Sequence, residues 1–108
     1  MKIINKSILT IGIPVYNGGS DLKRLLDSIF SQNFDRELVE IIISNNASED
    51  DTRKISNSYK IKYYENNENI GADKNILKVV ELASSKYVWV IGHDDILALN
   101  SINLVLDS

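Results

Sequence analysis

The chain has 108 residues, 44% of them hydrophobic and 25% charged, and 12 Lys and Arg against 15 Asp and Glu leave a formal charge of −3. Such a composition suits one globular domain or a piece of one, and excludes disordered, fibrous and membrane-embedded classes. A pI near 5.0 leaves no basic excess to displace counterions, so nucleic acid is not an expected partner. The absence of Cys excludes disulfides, zinc–thiolate sites and thiol nucleophiles.

Lys2 and Lys6 precede an apolar stretch at 8–15 that faintly imitates a signal peptide. Thr10, Gly12 and Pro14 interrupt it, no small-residue cleavage site follows, and nothing approaches the ~20 apolar residues of a spanning helix. The stretch therefore reads as a strand, and the protein as cytoplasmic. Its β-branched residues, apolar on both faces towards the end, suit a buried parallel strand. Asn17-Gly18-Gly19-Ser20 breaks it, with Ser20 as expected N-cap, and Leu22, Leu25, Leu26, Ile29 and Phe30 follow at helical spacing.

A second strand is expected at 39–44, closed by Asn45-Asn46-Ala47-Ser48. Ser48 is expected to cap a short helix whose first turn carries Glu49, Asp50 and Asp51 and whose core residues are Ile55 and Tyr59. A weaker strand at 61–64 and a polar turn at 65–69 lead to a helix from about 71 to 84, with Ile76, Val79, Val80 and Ala83 as its buried stripe. A fourth strand at 87–91 ends in Gly92-His93-Asp94-Asp95, and residues 101–106 read as the start of a helix.

Strand–helix alternation with short connections predicts an α/β fold: a three-layer, Rossmann-like parallel sheet with helices on both faces. Ligands of such sheets sit beyond the carboxyl ends of the strands, which points to Tyr16-Asn17, to residues 44–46 and to residues 92–95. Two readings of Asp94-Asp95 stand here. They are solvated loop acids capping the next helix, or hard oxygen ligands for a divalent cation that relieves their repulsion and touches phosphate. Likewise Tyr16 is a core aromatic or a ligand platform, Asn17 a turn residue or part of a pocket, and Asn45 and Asn46 Asx-turn residues or hydrogen-bonding partners of a ligand. There is no Gly-x-Gly-x-x-Gly, no P-loop and no Gly-x-Ser-x-Gly elbow, and the single His has no nucleophile partner in a recognised setting.

Four segments, in order, resemble the N-terminal part of the family 2 glycosyltransferases, which have a GT-A fold. They are the opening strand ending Pro14-Val15-Tyr16-Asn17, the strand and loop at 40–52, the stretch Asn69-Ile70-Gly71 through Lys74-Asn75, and residues 87–97 with their acidic pair. The resemblance implies binding of a nucleotide-diphosphate sugar (UDP-, dTDP- or GDP-linked) and inverting transfer of the sugar to an acceptor hydroxyl of a glycan or lipid-linked molecule. It implies a nucleotide site at Pro14, Tyr16, Asn17, Asn45, Asn46 and Lys74, with Tyr16 against the base and Asn45 at its edge. It also implies Mn2+ or Mg2+ held by Asp94 and Asp95.

Three positions depart from the family pattern: Asn45 where Asp is usual, Gly92 where the first metal carboxylate is usual, and Lys74 where Arg is frequent. The resemblance ends just after the metal motif. Residues 1–108 are thus expected to be the nucleotide-sugar-binding portion alone, truncated after the fourth strand, without the general base and inactive by itself. Its exposed edge invites self-association, and peripheral contact with the inner face of a membrane is left open. The alternative is a non-catalytic nucleotide-binding module. A phosphoacceptor receiver domain, another α/β class of similar length, fits poorly because no acids follow the first strand.

Overall fold

The computed structural model describes residues 6–108; Lys2, and with it the charged start of the imitated signal peptide, lies outside the described residues. Four strands, β1 (Leu9–Val15), β2 (Val39–Asn45), β3 (Lys62–Glu65) and β4 (Tyr87–Val90), form one parallel sheet in the order β3-β2-β1-β4. The register sets Leu9 against both Val39 and Tyr87, and Ile42 against Lys62. Helices α1 (Gly19–Phe30), α2 (Thr52–Ser56), α3 (Ala72–Leu82) and α4 (Ser101–Leu106) alternate with the strands, and a 3₁₀ turn at Arg36–Leu38 leads into β2.

The two faces differ because side chains alternate along a strand. Leu9, Ile11, Ile13 and Val15 of β1, with Val39, Ile41 and Ile43 of β2, form a continuous apolar layer with Leu22, Leu25, Leu26 and Ile29 of α1 and Ile102 of α4. The intervening positions, Thr10, Gly12, Glu40, Ile42 and Ser44, lie on the face that α3 covers. There the helix comes very close to β1. A Cβ built on Gly12 would lie 2.0 Å from Val79 Cγ1, so the missing side chain is what admits Val79.

Polar groups on this second face are paired rather than excluded. Glu40, 7% exposed, accepts from Thr10 Oγ1 (2.8 Å), Ser84 Oγ (2.6 Å), Ser84 N–H (3.0 Å) and Lys62 Nζ (2.5 Å). Burial alone would push its carboxyl up. The hydrogen bonds from Lys62, from Ser84 and from Thr10 outweigh burial and hold it at about 2.

Three local expectations need correction. Helix α1 starts one residue before Ser20, with Gly18 at the N-cap position and no side-chain cap. Ser48 does not cap α2, which begins four residues later; Asp50 instead bonds Thr52 N–H and Oγ1, while Ser48 turns back to Asn45 and Asn17. Of the stripe expected on α3 only Val79 is fully buried; Ile76 is 40% and Val80 46% exposed, and Asn75 is the other buried residue. The helix turns a narrow, partly polar strip to the sheet, since Ser44 offers a hydrogen-bonding partner there. Its outer face and the neighbouring edge strand leave Leu77 and Tyr87 exposed.

Candidate functional site

The carboxyl ends of β1, β2 and β4 open on one groove of about 330 Å³. Pro14, Tyr16, Gly71, Ile76 and His93 line its walls, and the buried Asn46 and Asn75 its floor. Tyr16, 43% exposed, presents an aromatic surface there. His93 is half-buried and packs over Gly18, where a Cβ would lie 3.5 Å from its Cδ2.

The floor is a closed hydrogen-bond network. Asn46, 2% exposed, donates through Nδ2 to Asn69 Oδ1 (2.9 Å) and to the Gly71 carbonyl (3.3 Å). Its Oδ1 accepts from Asn66 Nδ2 (3.1 Å) and Ile70 N–H (2.9 Å). Asn75 donates to the Ser44 carbonyl (2.9 Å) and accepts from Ser44 Oγ (2.8 Å) and Asn66 (3.0 Å). Every buried side-chain nitrogen and oxygen among the described residues has a partner, so this polar floor rigidifies the groove instead of destabilising it.

Pro14, Tyr16 and Asn46 line the groove. Asn17 is exposed behind Tyr16 with φ of 51°, and its Oδ1 accepts from Glu49 N–H at 2.9 Å, tying the first loop to the second. Asn45 is 1% exposed and is not part of the lining; its amide is engaged inside the protein by Tyr63 and Ser48. Lys74 is exposed in the first turn of α3, one position before the floor residue Asn75, and forms no ion pair among the described residues. Asn69 and Asn75, to which the sequence motif assigns no role, complete the floor by bonding Asn46 and Ser44. The usable signal was a buried-spaced amide four residues before Val79 on an otherwise apolar strip.

Asp94 and Asp95 follow His93 directly and are exposed. Asp95 Oδ2 accepts from Gly92 N–H at 3.1 Å, closing a tight turn. A Cβ on Gly92 would lie 3.1 Å from Asp94 Oδ1 and 3.3 Å from Asp95 Oδ2, so both carboxylates lean into the room that a side chain at 92 would take. Among the described residues no group of three or more His, Cys, Asp or Glu converges. Two hard-oxygen ligands beside a groove nevertheless fit a cation that draws its remaining ligands from phosphate and water.

An open parallel sheet with helices on both faces, a groove past its strand ends and an adjacent acidic pair defines the class: a doubly faced α/β protein with its ligand site at the strand termini. The sequence profile described as Glycosyl transferase family 2 matches residues 10–108, and the chain belongs to that family. It is 38% identical over 104 residues to an abequosyltransferase, RfbV, of Salmonella typhimurium, an alignment covering 91% of this chain and 31% of that protein. The chain thus spans about a third of the length of such relatives. Its fold matches S. aureus TarS residues 1–349, whose structures include complexes with UDP and UDP-GlcNAc, at a TM-score of 0.87 and 21% identity over 93% of this chain and 31% of that one. It also matches the mannosyltransferase PcManGT of Pyrobaculum calidifontis, solved with GDP-Man and Mn2+, at a TM-score of 0.77 and 22% identity over 87% of this chain and 30% of that one. These likenesses establish the GT-A fold. No helix among the described residues is long and apolar enough to cross a membrane.

Proposed function

We propose that residues 1–108 form the donor-binding part of a glycosyltransferase that takes a nucleotide-diphosphate sugar into this groove. The observation that carries this is the juxtaposition of Tyr16 and the Asn46–Asn75 floor, at the ends of β1 and β2, with Asp94 and Asp95 past β4. In this reading Tyr16 stacks on the base and Asn46 forms the polar surface beneath it. Pro14 and Asn17 shape the wall, Asn45 acts from behind it, and Lys74, one position before Asn75, supplies a cation. Asp94 and Asp95 would hold Mn2+ or Mg2+, which when bound supplies charge neutralisation for a departing diphosphate.

Inverting transfer to a hydroxyl of a glycan or lipid-linked acceptor, in bacterial polysaccharide or cell-surface glycan synthesis on the cytoplasmic side, is the finer reading. The likeness to a bacterial abequosyltransferase supports the bacterial glycan setting of this reading. Turnover is expected to need more than these 108 residues, and steady transfer by this chain alone would refute that.

Gly92 in place of a carboxylate favours a second reading, a nucleotide-sugar-binding module without catalysis. Calorimetric titration with UDP, dTDP and GDP, with and without Mn2+, separates the two. Metal-dependent binding that weakens at least tenfold in Asp94→Ala or Asp95→Ala supports the donor site. Binding indifferent to metal supports the module, and no binding of any nucleotide by folded protein overturns both.

A further inference from the structure

Behind the Tyr16 wall runs a chain of hydrogen bonds that reaches past Asn45 to Tyr63 and Glu65, which have no part in the donor-site reading. Asn17 N–H donates to Ser48 Oγ (2.8 Å), Ser48 O–H to Asn45 Oδ1 (2.5 Å), Asn45 Nδ2 to Tyr63 Oη (2.8 Å), and Tyr63 O–H to Glu65 Oε1 (2.5 Å). Arg53 closes it, with Nε on Glu65 Oε1 at 2.8 Å and a guanidinium nitrogen on Oε2. Its two ends fix its direction. A backbone N–H can only donate, and a carboxylate held ionised by Arg53 can only accept. Every group between them must therefore donate towards Glu65, and each link polarises the next.

Two non-glycine residues in the left-handed region, Asn17 (φ 51°) and Ala47 (φ 61°), flank the Ser48 link. Such backbone persists where its surroundings hold it, and Ser48 N–H on Asn45 Oδ1 (3.1 Å) supplies a second tether. We infer that Tyr63 and Glu65, although outside the groove, are positioning residues for it: acting through Asn45 and Ser48 they hold the Tyr16–Asn17 wall in place, and this directed chain requires an amide rather than a carboxylate at 45. Asn45 offers a carbonyl to Ser48 and an NH2 to Tyr63. A carboxylate there has no proton for Tyr63, whose hydroxyl must then reverse and leave Glu65.

The inference rests on the donor-site reading only for its consequence in binding. Its test therefore has one arm with no nucleotide: NMR of the 108-residue chain, following amide hydrogen exchange at Asn17. Tyr63→Phe is expected to speed that exchange about tenfold, the effect of losing roughly one hydrogen bond, and to weaken UDP binding by a similar factor; Glu65→Ala, which removes the terminal acceptor at an exposed position, repeats the test if Tyr63→Phe folds poorly. The decisive arm is a rescue. Asn45→Asp alone leaves Tyr63 with one proton between two carboxylates, but Asn45→Asp with Glu65→Gln re-pairs the outer links in the opposite direction, since a Gln NH2 donates to Tyr63 and Tyr63 to Asp, while Asn17 and Ser48 still donate towards 45. The double variant is expected to recover Asn17 protection to within about threefold of the unmodified chain. Additive losses in the double variant, or an Asn17 amide indifferent to Tyr63→Phe, overturn the chain. Altered Asn17 exchange with unchanged nucleotide affinity overturns its role in the groove. Should the unmodified chain bind no nucleotide, the donor-site reading fails, and the exchange and rescue results still decide the chain.

Discussion

The two faces of the sheet solve the same burial problem by opposite means. Towards α1 and α4, stability comes from apolar area alone: Leu22, Leu25, Leu26 and Ile29 are each 0% exposed and meet β1 and β2 through Ile and Val. Towards α3, an absent side chain at Gly12, a four-bond cradle around Glu40 and an amide network at Asn46 and Asn75 take the place of bulk. The first face holds the fold. The second shapes the groove, because directional bonds fix geometry in a way that non-directional burial does not.

The comparison breaks most sharply at Leu25. Leu25→Ala on the apolar face is expected to cost about 2–5 kcal/mol in urea denaturation, a large part of what holds a domain of this size together. A loss under about 1 kcal/mol would mean that α1 does not anchor the apolar layer. On the opposite face the expected effect is smaller and depends on pH. Glu40 has its pKa lowered from 4.5 to about 2, so its contribution is complete above pH ~4.5 and disappears as the pH falls towards 2. Glu40→Gln should lose about 2 kcal/mol at pH 7 and flatten the acid limb of the stability curve between those values. An unchanged acid limb would remove the carboxylate from the account.

Gly12→Ala tests the close approach of α3. The new methyl meets Val79, and about 1–3 kcal/mol of overpacking is expected. Val79→Ala in the same chain should return part of that loss, so the pair should be less damaging than the sum of the two single changes; strict additivity would show that the helix shifts freely. The smallest effect belongs to the exposed pair Lys23–Asp27 (2.7 Å) on the outer surface of α1. Lys23→Ala should leave the urea midpoint unchanged within error, as solvent-screened pairs do.

The strands and their order along the chain were legible because β1 and β2 are dense in β-branched residues and run into Asn-rich breaks, Asn17-Gly18-Gly19 and Asn45-Asn46. The groove-facing ends followed from that, and Pro14, Tyr16 and Asn46 do line it. What escaped depends on partners distant in sequence. Ser48 looked like a helix cap because acids follow it, but Asn45 and Asn17 claim its hydroxyl and backbone N–H. Periodicity put Ile76 and Val80 inside, whereas the strip that α3 turns to the sheet is set by Ser44, 31 residues before Asn75. The engagement of Asn45 depends on Tyr63, 18 residues on, which a local pattern cannot reveal.

The hub at Asn46 also bears on how such a sequence drifts. A Leu in the apolar layer has neighbours in the genetic code, Ile, Val or Met, that fill nearly the same volume. Asn46 uses two donors and two acceptors at once, and among the other side chains only Gln carries that set, one methylene too long. Mutational paths through the floor of the groove are therefore few, while those through the opposite face are many, and the molecule is free to diverge fastest where it is most stable.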